Sequence, residues 1–203
     1  PTMLERYEVD AICHEHLTYY SLDSLRNVLL KAGFEIADAE LNDANGGSML
    51  VFAKKAKGLR PSDRAVEILE EERENSTVLC LLDFARGVAG NRLALRAMLQ
   101  FEVEHGKKII GYGASTKGNT LLQYCGIGPE LIPYIAERNP AKWGRKTVGS
   151  NIPIISEEEA RAMNPDYFLA LPYHFMDAFK KREAAFLAHG GRFIVPVPNP
   201  QVV

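Results

Sequence analysis

One stretch limits what this chain can fold into: two lysines and two isoleucines (Lys107 to Ile110), then Gly111-Tyr112-Gly113-Ala114-Ser115-Thr116-Lys117-Gly118-Asn119, then Thr120, Leu121, Leu122 and Tyr124. A β-branched run, a glycine-rich turn and an amphipathic segment predict a strand, a tight loop and a helix. In that arrangement backbone N–H groups and a helix N-terminus face an anion. The dinucleotide fingerprint would need glycine where Thr116 stands. The mononucleotide loop would need lysine and a hydroxyl residue after Gly118, where Asn119 stands. What remains is Gly111-x-Gly113, four residues, then Gly118, with Ser115, Thr116 and Lys117 as donors. Glycine permits positive φ and close approach of backbone to ligand. The lysine and hydroxyls favour a phosphate site over a mere connecting turn.

Downstream, an apolar strand is expected at Leu131 to Ala136, ending in Glu137. Glu137 stands near the position at which a doubly wound fold carries its acidic ribose contact. A basic segment with the single tryptophan, Arg138 to Arg145, follows. Ser156 and Glu159 form a capping box for a short helix. Tyr167 to Leu171 reads as a strand with Tyr173 and His174 beyond its end, Phe175 to Ala188 as a helix, and Arg192 to Val195 as a last strand. Strands alternating with helices imply a parallel sheet with right-handed crossovers. The fold class is therefore α/β, with a Rossmann-like domain at the C-terminal end. Its ligand edge lies beyond the strands' carboxyl ends, where the 113–119 loop, Glu137, Tyr173-His174 and the tail near Pro196 converge.

The N-terminal part differs. Val9 to Cys13 could be a strand leading to His14-Glu15-His16. Ser21 caps a helix stopped at Gly33; Phe34 to Leu41 and Ser48 to Lys54 form a hairpin about Asn45-Gly46-Gly47. One helix and a hairpin bury little core alone, so residues 1–57 read as the helix-hairpin end of an incomplete domain and 58–203 as the Rossmann-like domain. Between them Ser62 caps a helix to about Arg73. Ser76 or Thr77 opens a longer one to Glu104, with Leu79, Leu82, Phe84, Val88, Leu95 and Leu99 on its buried side.

A net charge of −2 gives no long-range pull toward nucleic acid or an anionic membrane. No apolar run reaches membrane-span length and no signal peptide opens the chain, so a cytoplasmic protein is expected. Three scattered cysteines read as reduced thiols, not as a zinc site. In His14-Glu15-His16 a histidine near neutrality suits proton abstraction beside a carboxylate. On an extended chain His14 and His16 would share a face; two ligands without a third make a metal site a poor expectation.

Several stretches together resemble one family. These are Cys13-His14-Glu15-His16-Leu17-Thr18-Tyr19, Gly46-Gly47-Ser48-Met49, Gly111 to Leu122, Arg138-Asn139-Pro140, Ile152-Pro153-Ile154, Pro165-Asp166-Tyr167 and Gly190 to Pro196. Their order resembles the C-terminal part of S-adenosylmethionine-dependent C-methyltransferases acting on nucleotide-linked deoxysugars. The resemblance implies a zinc-binding module and the S-adenosylmethionine loop in upstream parts that have no counterpart here, with residues 1–57 closing the truncated class I methyltransferase domain. It implies His16 as base beside Glu15, with Tyr19 as the following aromatic. It also implies the nucleotide-linked sugar as partner, contacted by Gly113, Ala114, Ser115, Thr116, Lys117, Gly118, Asn119, Glu137, Tyr173 and His174. Glu137 stands where the family usually has aspartate, Trp143 where glutamine is common, and Tyr173-His174 where a Trp-Asn pair is common. The alternative expectation is a free-standing Rossmann-like nucleotide-binding module without catalytic activity.

Overall fold

A computed structural model describes residues 2–75 and 77–203. The chain divides into two compact units. The first holds the residues up to Glu5 and His16–Phe84; the second holds Arg6–Glu15 and Ala85–Val203.

The first unit contains α1 (Thr2–Glu5), α2 (Leu22–Lys31), the antiparallel hairpin β1 (Glu35–Asn42) and β2 (Ser48–Lys54), and α3 (Asp63–Asn75). Ser21 caps α2 as its sequence predicts, accepting the N–H of Ser24. A second acceptor reaches α2 from far along the chain. Glu72 on α3 is buried and takes the N–H of Leu22 at 2.8 Å and of Asp23 at 3.1 Å. A carboxylate at a helix N-terminus meets both the unpaired amides and the positive end of the dipole. Leu22, Ile36, Ala39, Ala65, Ile68 and Leu69 form the small core of this unit. Leu41, Leu50 and Phe52 of the hairpin stay exposed.

The helix α4 (Val78–Glu104) opens at Thr77, whose hydroxyl accepts the N–H of Cys80; Ser76, the other candidate cap, lies outside the described residues. Its predicted apolar side is buried only at Val88, Leu95 and Leu99, joined by Asn91, while Leu79 and Leu82 are 74% and 55% exposed. Packing therefore buries this face only from Val88 onward.

The second unit is a six-stranded sheet. Its members are β3 (Ile109–Tyr112), β4 (Ile135–Glu137), β5 (Ile154–Ser156), β6 (Tyr167–Ala170), β7 (Arg192–Val195) and β8 (Gln201–Val202), in the order β5-β4-β3-β6-β7-β8. Five strands are parallel and β8 is antiparallel. Helices α5 (Thr116–Cys125), α6 (Glu157–Ala162), α7 (Met176–Arg182) and α8 (Ala184–Ala188) lie between them. The order reverses at β3, which places a switch point between β3 and β6, the place where doubly wound sheets take ligands. This is an α/β Rossmann-like fold.

Three elements depart from expectation. β4 begins only at Ile135, because Pro133 interrupts the apolar run. The helix expected over Phe175 to Ala188 divides at Glu183, whose side chain turns into the core, leaving α7 and α8. Val9–Ala11 forms a 3-10 turn rather than a strand.

Under the sheet, Tyr112 packs against Phe168, Phe179 and Phe193 with ring centres 4.9, 4.9 and 5.7 Å away. Its hydroxyl donates to Glu183 at 2.6 Å, and Arg161 donates twice to the same carboxylate, at 2.8 and 2.6 Å. Burial opposes ionisation of Glu183, but the Arg161 and Tyr112 hydrogen bonds outweigh it and hold the carboxyl below the ordinary glutamate range.

Two glycines set the strand-to-helix corner. Gly113 has φ +87°, and a Cβ there would lie 2.7 Å from the ring carbons of Pro172; a Cβ on Gly118 would lie 2.8 Å from Leu171 Cβ. Gly113 therefore serves both the left-handed turn and the approach of β6's end. Gly113→Ala is expected to destabilise the protein by about 1–3 kcal/mol in urea unfolding; an unchanged midpoint would show that the corner relaxes freely.

Candidate functional site

The expected loop residues fall on two sides of the β3–α5 corner. Gly113, Ala114 and Ser115 line a groove of about 470 Å³ at the switch point, together with Glu137, Lys142 and Arg182. Glu137 is tightly engaged there. One carboxylate oxygen accepts the N–H of Ala114 at 2.8 Å, and the other accepts that of Asn139 at 2.8 Å. Lys142 Nζ donates to the Ala114 carbonyl at 2.6 Å and lies 3.6 Å from the Glu137 carboxylate, while the indole N–H of Trp143 donates to the Glu137 carbonyl. Glu137 thus fixes the turn that carries the loop. A ligand anion at the Ala114 amide would compete with it. Ser115 caps α5 by accepting the N–H of Gly118 at 2.9 Å, and its carbonyl accepts that of Asn119.

Thr116 and Lys117 meet a different partner, the Arg6–Glu15 segment. The Thr116 hydroxyl donates to Glu15 at 3.3 Å, so a carboxylate stands at the first residue of α5. Deeper in, Asp10 is 1% exposed, and the Tyr173 hydroxyl donates to it at 3.1 Å. Burial raises the Asp10 and Glu8 carboxyls above their ordinary range; Lys117 opposes the shift in both. His174 stacks on Tyr173 with ring centres 4.1 Å apart. Burial first, and then Lys117 and Arg6, push its imidazole down to about 4. Three buried polar atoms of this region make no hydrogen bond among the described residues: Asp10 Oδ2, Asn119 Oδ1 and His174 Nε2.

His16 and Tyr19 belong to the first unit and meet edge to face, with ring centres 6.5 Å apart. His14, Glu15 and His16 are all exposed, and Cys13 before them is buried. His14 and Glu15 sit in a turn, so the alternation of an extended chain does not apply to them. The division between the units falls between Glu15 and His16. Among the described residues no three metal-ligating side chains come together, and no helix is long and apolar enough to cross a membrane.

The structure adds residues that the sequence did not single out. Asp10 carried a signal, a charge inside the apolar run Val9 to Ile12, which a soluble fold keeps only when it is paired. Lys142 lay within the basic segment Arg138 to Arg145, but Arg182 carried no signal, because a basic residue at a helix end is an ordinary surface feature.

The His174 environment sets a pH dependence. Between 6.5, the ordinary histidine value, and about 4, the unfolded chain binds a proton that the folded chain refuses. This group therefore withdraws stability as pH falls across that window. The ring resonances of His174 in a proton NMR titration are expected to move with a midpoint near 4; a midpoint at 6.5 would place the ring in water.

Residues 43–198 match the family described as C-methyltransferase C-terminal domain. The chain is similar to C-methyltransferase NovU of Streptomyces niveus, with 37% identity over 206 aligned residues. The match covers 99% of this chain and 49% of that protein, so the chain spans about half the length of the curated relative it matches. A family match over three quarters of the sequence, on a Rossmann-like sheet, assigns the chain to the C-methyltransferase C-terminal domain family.

Proposed function

We propose that this chain is the C-terminal part of an S-adenosylmethionine-dependent C-methyltransferase that alkylates the carbon next to the keto group of a nucleotide-linked keto-deoxysugar. The observation that carries the reading is the alignment of nearly the whole chain with a C-methyltransferase, including the Cys13–Tyr19 stretch and the loop after β3.

In this reading His16 removes the proton next to the ketone and Glu15 stabilises the imidazolium that forms. Tyr19, edge-on to His16, limits the ring's orientation. The groove side of the loop, Gly113 to Ser115 with Glu137, takes the substrate, while Tyr173 and His174 support the loop from its other side. In this reading the groove at the switch point, with Arg138, Lys142 and Arg182 against Glu137 and Glu157, suits the anionic end of the sugar nucleotide better than the cationic methyl donor. The donor's seat, and the zinc module of the family, are assigned to the upstream half that the curated relative possesses. The exposed Leu41, Leu50 and Phe52 support the helix and hairpin within residues 1–57 as the closing part of that upstream methyltransferase domain, whereas Arg6–Glu15 belong to the second unit. The fragment alone is then inactive.

A second reading, a nucleotide-binding module without catalysis, is favoured by the strand order of the second unit, which completes a sheet by itself. The two separate on one assay. Joined to the upstream half, the chain is expected to methylate a thymidine-diphosphate-linked 4-keto-deoxysugar, and His16→Asn is expected to lower turnover by roughly 10²–10⁴-fold. Wild-type turnover in that variant would remove His16 from the reaction; no methyl transfer by the joined protein would favour the module.

A further inference from the structure

Arg182, at the end of α7, is held more firmly than a half-exposed arginine needs to be. Its Nε–H donates to the Tyr112 hydroxyl at 2.9 Å, and one terminal nitrogen lies 3.2 Å from Glu157. The guanidinium carbon stands 5.4 Å from the centre of the Tyr112 ring and 5.3 Å from that of Phe179. Behind it the contacts close into a circuit. Glu157 gives its other oxygen to Arg161 at 3.1 Å, Arg161 forks onto Glu183, and Glu183, 1% exposed, accepts the hydroxyl of the same Tyr112. Two carboxylates balance two guanidinium groups, so the circuit neutralises itself.

Isolated ion pairs at a surface contribute little, and fixing long side chains costs entropy. A closed circuit around one arginine is instead the support that a binding group needs to keep its geometry. Tyr112 takes the Nε–H, and Glu157 pairs by charge with one terminal nitrogen. Arg182 lines the switch-point groove, and the outer edge of its guanidinium keeps further N–H groups beyond the one given to Tyr112. That edge is the one arginine uses to grip a phosphate with two parallel hydrogen bonds. Lys142 and Arg138 bring two more cations to the groove against the carboxylates of Glu137 and Glu157, and the half-exposed ring of Phe175 supplies an apolar wall.

We propose that Arg182 is the anion-binding residue of this groove, for a phosphate or diphosphate group, and that Glu157, Arg161, Glu183 and Tyr112 are the residues that position it. The inference deepens the proposed function and rests on it for the natural ligand's identity, but not for the site.

Calorimetry of the full 203-residue chain with pyrophosphate tests it. The wild type is expected to bind, and Arg182→Met to weaken binding roughly ten- to a hundredfold, with Arg182→Lys between the two. Glu157→Gln separates positioning from simple charge. Removing a negative charge beside an anion site should tighten binding if charge alone mattered; loss of the positioning contact should weaken it. Circular dichroism melting confirms that each variant is folded, and Lys142→Met, which leaves the circuit intact, serves if Arg182→Met does not fold; weaker pyrophosphate binding in it supports the site. Absence of pyrophosphate binding by the wild type, an unchanged affinity in Arg182→Met or Lys142→Met, or tighter binding in Glu157→Gln would overturn the proposal. Arg182-dependent pyrophosphate binding in a protein that, joined to its upstream half, transfers no methyl group would uphold this site and sink the proposed function.

Discussion

A buried carboxyl, Asp10, is the constraint on which the site depends. Leaving a carboxyl unpaired in the interior is costly, and the chain offsets that cost with the Tyr173 hydroxyl and the field of Lys117. The consequence is local and topological at once. Residues Arg6–Glu15 become part of the Rossmann-like unit although the sequence separates them from it by a helix, a hairpin and two further helices. Glu15, tied to Thr116 at the start of α5, ends that segment, and His16 is the next residue. In the proposed reaction the C-terminal unit therefore holds the carboxylate of the Glu-His pair itself.

The same unit arranges its polar groups by sign. On the groove side of the corner Glu137 closes the turn, with Lys142, Arg138 and Arg182 about it. On the other side Lys117 faces Glu8 and Asp10. The glycine-rich loop therefore stands between two polar clusters, with Gly113 and Gly118 allowing the close approach to Pro172 and Leu171. An anion is the ligand proposed for the groove side, in keeping with the substrate-anchoring role proposed for this domain.

Much of this was legible in the sequence where the signal is local. Ser21, Ser62, Ser156 with Glu159, and the glycine-rich loop all mark element ends through hydrogen bonds within a few residues, and the structure bears them out. The parallel sheet followed from the alternation of elements. What escaped depends on partners distant in sequence. β5 is three residues long and preceded by Pro153, and β8 is two residues paired to β7, so neither has a period to detect. The break at Glu183 exists because Arg161 and Tyr112 draw its carboxylate inward. Val9–Ala11 reads as a strand by composition, but Asp10 can reach Tyr173 only with the segment folded against the second unit. Exposure of Leu79 and Leu82 shows the converse case, a periodic apolar face of which packing covers only part.

The central claim is that Asp10 and Tyr173 bind the segment before His16 into the C-terminal unit. A double-mutant cycle with Asp10→Asn and Tyr173→Phe, read by urea unfolding, measures that tie directly. The account predicts a coupling of about 1 kcal/mol or more between the two positions. Effects that simply add, within about 0.5 kcal/mol, would contradict it.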